Sequence, residues 1–367
     1  MSRPALLLLI AVSLLFSVGL LMVFDTTAAE VLHRGLDKST HHALIRQMLY
    51  AAAGVAGAAG CWVAGYHTLL KLSGLLMAVG VLLLTLVFLP GVGMQINGAH
   101  RWLSLCGNSI QPSEFMKVIL PLYAVHALSK EGKPLTLRAF ARLFLHMAAP
   151  LGLILIEPDN GTFVILFLAA AVLFFLARVP ARYWAWPLVA VFFIGGCVAA
   201  QMPHVRDRLA AYMHPEEDLR GKGHQPFQAK IAAGSGGLFG RGLAESLQKL
   251  DYLPEARSDY IAAIFAEEFG FAGILGLIVL YMLLAYCGVR IAVEAIDMQG
   301  FYVASMLTFL LCVQAFLNLG VVSGLLPSKG TNLPFFSQGG SSLFANCLML
   351  ALILNVSRRP VLVPLRK

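Results

Sequence analysis

Ten apolar runs, several of them short but all near the length that crosses a bilayer, recur along this 367-residue chain and limit what it can fold into. A helix through the hydrocarbon core needs roughly 17 to 25 predominantly apolar residues. Runs of this kind read at 5–24, 48–66, 72–89, 113–128, 144–157, 163–176, 184–201, 261–289, 301–325 and 342–355. With 59% hydrophobic and 13% charged residues, the composition excludes an ordinary soluble domain. The reading is a single all-α polytopic membrane domain over 1–367, with about ten transmembrane helices. The two short runs at 144–157 and 163–176 flank Pro158, Asp159, Asn160 and Gly161, a turn signature that predicts a tight helical hairpin. One long broken helix is the alternative, and it would leave nine spans with the termini on opposite sides.

The short connections set the orientation. Thirteen Lys and Arg, among them Arg3, Lys71, Lys130, Arg178, Arg290 and Arg358, fall on one side, against Arg34, Lys38, Arg46, Arg101 and Lys329 on the other. Both termini are therefore expected in the cytoplasm. The segment 202–258 becomes one large extracytoplasmic loop whose eight Lys and Arg do not count, because long loops cross largely regardless of charge. The net charge of +8 is spread between apolar runs, which points to membrane topology and away from nucleic acid. The first run lacks a small-residue cleavage site and reads as a retained anchor. Six cysteines without paired spacing indicate neither a disulfide framework nor zinc.

Two features of the loop end stand out. Its glycine-rich part, with apolar Ile231, Leu238, Phe239, Leu243 and Leu247, reads as amphipathic pieces on the membrane face, a flexible linker being the alternative. At its exit, Asp259 stands where the chain enters lipid, and charge at a helix mouth is costly enough to mark a functional site. Ser258 and Asp259 are also good helix N-caps. Glu267 and Glu268 lie about 12 to 14 Å deeper along that helix. Glu114 falls in the first turn of another, where a carboxylate offsets the positive helix end. Gln314 and Asn318 share a helical face and need polar partners inside the bundle, while Gly339 and Gly340 beside Ser341 and Ser342 read as close packing.

Four stretches carry a resemblance: Asn97–Lys117 with NGAHRWLSL and QPSEFMK, EPDNGT at 157–162, AAGSGGLFGRGL with QKLDYLPEARSDYIAAIFAEEFG, and NLGVVSGLLPSKGTNLPFFSQGGSSLFAN at 318–346. In this order they resemble the SEDS family of shape, elongation, division and sporulation proteins (FtsW, RodA, SpoVE). The resemblance implies a ten-helix glycosyltransferase of the bacterial cytoplasmic membrane that polymerises lipid II into glycan strands. Its implied partners are a single-pass class B penicillin-binding protein and other division proteins, with no organic cofactor. Pro327, Ser328, Lys329 and Gly330 are similar to the division-type motif, so septal wall synthesis is expected before elongation. The chain departs from the family at Arg257 and Ser258 before Asp259, at Gln338, and at Gly223, His224 and Gln225.

What the resemblance implies for chemistry is a base at the attacking sugar hydroxyl and positive charge at the departing pyrophosphate. Asp259 is the expected base. Arg101, Lys249, Arg257, Lys329 and Arg241 are the candidate pyrophosphate ligands, and Arg257 is expected to favour the carboxylate form of Asp259. Glu114 and Asp159 are candidates for a divalent cation, Mg or Mn, or for aligning the donor. Glu267 and Glu268 are expected to organise the cavity or to pair with Lys117; Gln314, Asn318 and Ser341 support it. A lipid flippase, a recruiting scaffold and an elongation-type polymerase are the competing readings; no internal repeat favours the first.

Overall fold

The computed structural model describes residues 2–34, 39–96, 99–105, 108–131, 135–201, 206, 210, 212–213, 223–250, 253, 255–327 and 330–358. Eleven helices occur among them: α1 (Arg3–Arg34), α2 (His42–Ala64), α3 (Tyr66–Leu86), α4 (Pro112–Lys130), α5 (Leu137–Ile156), α6 (Asn160–Leu176), α7 (Ala181–Gln201), α8 (His224–Ser235), α9 (Ile261–Val293), α10 (Met298–Val322) and α11 (Gly340–Val356). The fold is an all-α, multi-span membrane bundle. Six helices, α1, α2, α3, α5, α9 and α10, are both long and apolar enough to cross a bilayer, against the ten runs of the sequence. α6 and α11, 17 residues each, are apolar but shorter.

One small sheet was not expected. Between α3 and α4, strands β1 (Gly93–Ile96), β2 (Ala99–Leu105) and β3 (Asn108–Ile110) pair antiparallel in the order β1-β2-β3, with Leu103 opposite both Gly93 and Ile110. Three short strands bounded by glycines carry too little periodicity to stand out beside long apolar runs. The hairpin reading holds: α5 and α6 are separate helices, and Asp159 caps α6 by accepting from Thr162 N at 3.2 Å. α1 is longer than its apolar run and carries Asp25 and Glu30 in its last turns.

α10 is the central helix, with 67% of its most apolar stretch buried inside the protein, whereas α2 has 11% and leaves its outer face to lipid. α1 packs on α9, α2 on α11, and α3 on α4. The α2–α11 contact is close because Gly54 and Gly57 sit against Cys347 and Phe344. Gly340 likewise lies against the ring of Tyr50, the packing role its sequence setting suggests.

α9 is broken at Gly270, whose φ of 66° and ψ of −164° interrupt the helix. In a continuous helix Phe271 N would bond Glu267 O, and Ala272 N would bond Glu268 O. Here the glycine-rich segment takes up all four groups. Arg241 N donates to Glu267 O at 3.0 Å and Gly242 N to Glu268 O at 3.1 Å, while Phe271 N donates to Gly237 O at 2.9 Å and Ala272 N to Leu238 O at 3.0 Å. The segment is therefore pinned into the helix ladder, which rules out a flexible linker at residues 236–242. No Cβ fits at two of its crossing points: one on Gly240 would run into Glu268 O, and one on Gly270 into Gly240 N.

Both glycines also have positive φ, so Gly240→Ala and Gly270→Ala add backbone strain of about 1–3 kcal/mol to the collision. Each is expected to lower the unfolding temperature of the detergent-purified protein by several degrees. Gly276→Ala, whose Cβ would meet nothing within 4 Å, should leave it unchanged.

Candidate active site at the loop-bearing end of the bundle

Asp259 lies in a turn, residues 255–260, that delivers the chain to α9. The turn is held by Ser258 Oγ, which donates to Glu255 Oε2 at 2.7 Å. Asp259 directly precedes Tyr260, the cap position of α9, whose side chain makes no cap hydrogen bond. Its backbone carbonyl accepts from Asn318 Nδ2 at 2.8 Å, and the same amide group donates to Thr331 O at 2.7 Å. One α10 side chain thus joins the Asp259 turn to the 330–334 loop. Gly330 faces the carboxylate: a Cβ there would come 3.1 Å from Asp259 Oδ2.

Around this junction the polar groups form a connected, buried network. One turn deeper on α10, Gln314 Nε2 donates to Asn332 O at 2.9 Å, and its Oε1 accepts from Lys117 Nζ at 3.0 Å. Lys117 is also ion-paired to Glu114 at 2.7 Å, so it does not pair with Glu267 or Glu268. Asp159 Oδ2 accepts from Ser113 Oγ at 2.7 Å and Gln111 Nε2 at 3.0 Å, and Gln111 N donates to Ser341 Oγ at 3.0 Å. Gly161, two residues on, abuts the side chain of Thr331. The mouths of α4, α6, α10 and α11 thereby converge beside Asp259.

The cations divide. Lys249 is buried with its ammonium on Asp25, at 2.7 and 2.8 Å, and on Glu268, at 2.7 Å. Arg257 Nη1 donates to Glu30 at 2.9 Å, and Arg241 lies 3.6 Å from Glu267. Glu267 also accepts from Ser246 Oγ at 2.6 Å and from the backbone N–H groups of Leu247 and Gln248. These three cations tie the loop to α1 and α9. Arg101, on β2, donates instead to the backbone carbonyls of Glu157 and Pro158, and no carboxylate lies within ion-pair distance of its guanidinium among the described residues. Lys329 lies outside the described residues. Asp25 and Glu30 escaped the sequence reading because they follow the first apolar run, where falling hydropathy reads as the end of the span; two acids in a stretch that still forms helix were the available signal.

Glu157, just past the end of α5, is fully buried, and neither carboxylate oxygen has a hydrogen-bond partner among the described residues. Burial and the neighbouring Asp159 push its pKa up to about 8, against the pull of Arg101. No group of three or more His, Cys, Asp or Glu side chains suited to a metal occurs among the described residues. Glu114 is neutralised by Lys117, and Asp159 already accepts from three donors.

The sequence profile of the FtsW/RodA/SpoVE family, described as cell cycle protein, matches residues 5–360. The chain is 39% identical over 352 residues to a probable peptidoglycan glycosyltransferase FtsW of Aromatoleum aromaticum, covering 93% of this chain and 85% of that protein. It is 38% identical over 361 residues to stage V sporulation protein E of Bacillus subtilis, covering 97% and 98%. Among solved structures, a chain from a peptidoglycan synthase complex that coordinates polymerization and crosslinking superposes with a TM-score of 0.74 at 27% identity, covering 95% of this chain and 96% of that one.

Two outcomes follow from these buried charges. Removing one member of a buried ion pair costs about 3–5 kcal/mol, so Lys249→Met should expose the 236–250 segment to limited proteolysis and lower the unfolding temperature; Asp25→Asn, which leaves Glu268 as a partner, should do less. Glu157 has a folded-state pKa raised above its unfolded value, so its contribution is fully present below about pH 4.5 and is lost as pH rises through about 8. Glu157→Gln should therefore flatten the pH dependence of the unfolding temperature across that window and raise it at its alkaline end.

Proposed function

This chain belongs to the FtsW/RodA/SpoVE family, and from that membership and the network about Asp259 we propose that it is a peptidoglycan glycosyltransferase polymerising lipid II during bacterial cell division. The observation that carries the mechanism is the position of the Asp259 carboxylate. It sits at the mouth of α9 against Gly330, where buried polar groups of α4, α6, α10 and α11 meet. In the reaction the 4-hydroxyl oxygen of one sugar bonds to the anomeric carbon of another, and the bond to undecaprenyl pyrophosphate breaks with its electrons on the leaving group. Asp259 takes the hydroxyl proton. Asn318 and the buried Gln314–Lys117–Glu114 chain position the turn and loop that carry it.

Arg101 and Lys329 are the assigned ligands of the leaving pyrophosphate. Arg101 is supported by its hydrogen bonds to the Glu157 and Pro158 carbonyls, which hold it at the turn before Asp159, and Lys329 by its adjacency to Gly330 in sequence. No step is assigned to a divalent cation. The proposed topology has ten spans, adding α4, α6, α7 and α11 to the six long apolar helices, with both termini in the cytoplasm as the Lys and Arg distribution supports. A class B penicillin-binding protein is the proposed partner, a reading supported by the likeness to a chain of a synthase complex.

The test is polymerisation of purified lipid II, with and without that partner. Wild type should make glycan, and Asp259→Asn should lose about 10² to 10⁴ in rate, the contribution of a general base, while keeping its unfolding temperature. Turnover within a few-fold of wild type would remove Asp259 from the mechanism, and lipid movement without polymer would make the protein a flippase.

A further inference from the structure

At the end of the bundle opposite Asp259, a cavity of about 830 Å³ opens between the start of α1 and the ends of α2, α9 and α11. Three arginines line it: Arg3, Arg290 and Arg358. Only Arg290 has an ion-pair partner among the described residues, Glu294 at 2.7 Å. Arg358 stacks over Trp62, 5.8 Å from the ring centroid. Arg3 begins α1, a helix with no acidic residue in its first turn, so its charge adds to the positive helix end, which Ser2 Oγ caps by accepting from Ala5 N at 3.4 Å. The wall is fixed, because Asn355 of α11 donates to Trp62 O at 2.9 Å and accepts from Tyr66 N at 3.1 Å.

The apolar part of the lining says what kind of anion fits. Trp62 and Tyr286 are residues of membrane–water interfaces, and Leu7, 42% exposed, continues the cavity toward lipid along α1. Basic pockets between helix ends at the cytoplasmic surface suit anionic headgroups. We propose that this cavity binds one anionic phospholipid, its phosphate held by Arg3 and Arg358 and its acyl chains along Leu7. Arg290 contributes less because Glu294 offsets it. The bound lipid bridges the α1–α9 pair to the α2–α11 pair at the face away from the chemistry. With the proposed topology, its source is the cytoplasmic leaflet.

Native mass spectrometry of the full chain in detergent, titrated with dioleoyl phosphatidylglycerol or dioleoyl phosphatidylcholine, tests the site. One saturable phosphatidylglycerol adduct is expected, at least several-fold preferred over phosphatidylcholine. Arg3→Gln and Arg358→Gln should each weaken it about five-fold, the scale of one basic residue at an anionic surface. Arg358→Lys should retain most of the binding, and Glu294→Gln should strengthen it, a gain that a purely structural role would not produce. Arg182→Gln, at the same end of the bundle but outside the cavity, should change nothing. Equal binding of the two lipids, or equal loss from Arg182→Gln and Arg358→Gln, would overturn the proposal. Displacement of the lipid by millimolar inorganic phosphate would overturn it too, by making this a site for the free anion.

Discussion

The crossing of the glycine-rich segment through the break in α9 is the constraint on which the loop-bearing end depends. A helix interrupted in a membrane leaves backbone groups that water cannot reach, and each must find a partner within the protein. Residues 237–242 supply partners for Glu267 O, Glu268 O, Phe271 N and Ala272 N. Because those bonds are backbone to backbone, the loop is held in one register. The side chains of Glu267 and Glu268 then reach onward to Ser246, Leu247, Gln248 and Lys249, extending the attachment along the chain toward the Asp259 turn.

Charge serves anchoring before chemistry in this arrangement. Burying an ion is expensive unless it is paired and hydrogen-bonded, and Lys249 meets that demand with two carboxylates from helices far apart in sequence. Arg257 and Arg241 make weaker, more exposed versions of the same attachment. A cation engaged in this way has little left to offer a passing pyrophosphate. The distinction between anchoring and substrate-binding cations therefore rests on where the acids are, and two of those acids, Asp25 and Glu30, stand on α1.

How much of this was legible in the chain differs by range of interaction. Local signals read well: the turn at 158–161, the shared face of Gln314 and Asn318, and the placement of Asp259 at a helix mouth each depend on a few neighbouring residues. Pairings across the fold did not. Lys249 meets Asp25 across 224 positions, and no periodicity encodes that distance. The expected pairing of Lys117 with Glu267 or Glu268 does not form, because Glu114, three residues away on its own helix, takes the ammonium, a partner that the i, i+3 spacing did offer. The full length of α1 was hidden because hydropathy marks lipid contact, whereas helix continuity needs only satisfied backbone bonds, which α1 keeps through Asp25 and Glu30.

The environment of Asp259 follows from this division of charge. From sequence spacing Arg257, two residues away, was the natural group to stabilise its carboxylate. In the structure Arg257 donates to Glu30 on α1, with nearly half of its side chain exposed. Packed directly on the turn are Gly330, which brings backbone against the carboxylate, and Asn318, which fixes the peptide behind it. Glycine at 330 matters on this account because any side chain would fill the approach to the carboxylate. The position of the carboxylate therefore depends on the 330–334 loop staying where Asn318 and Gln314 hold it.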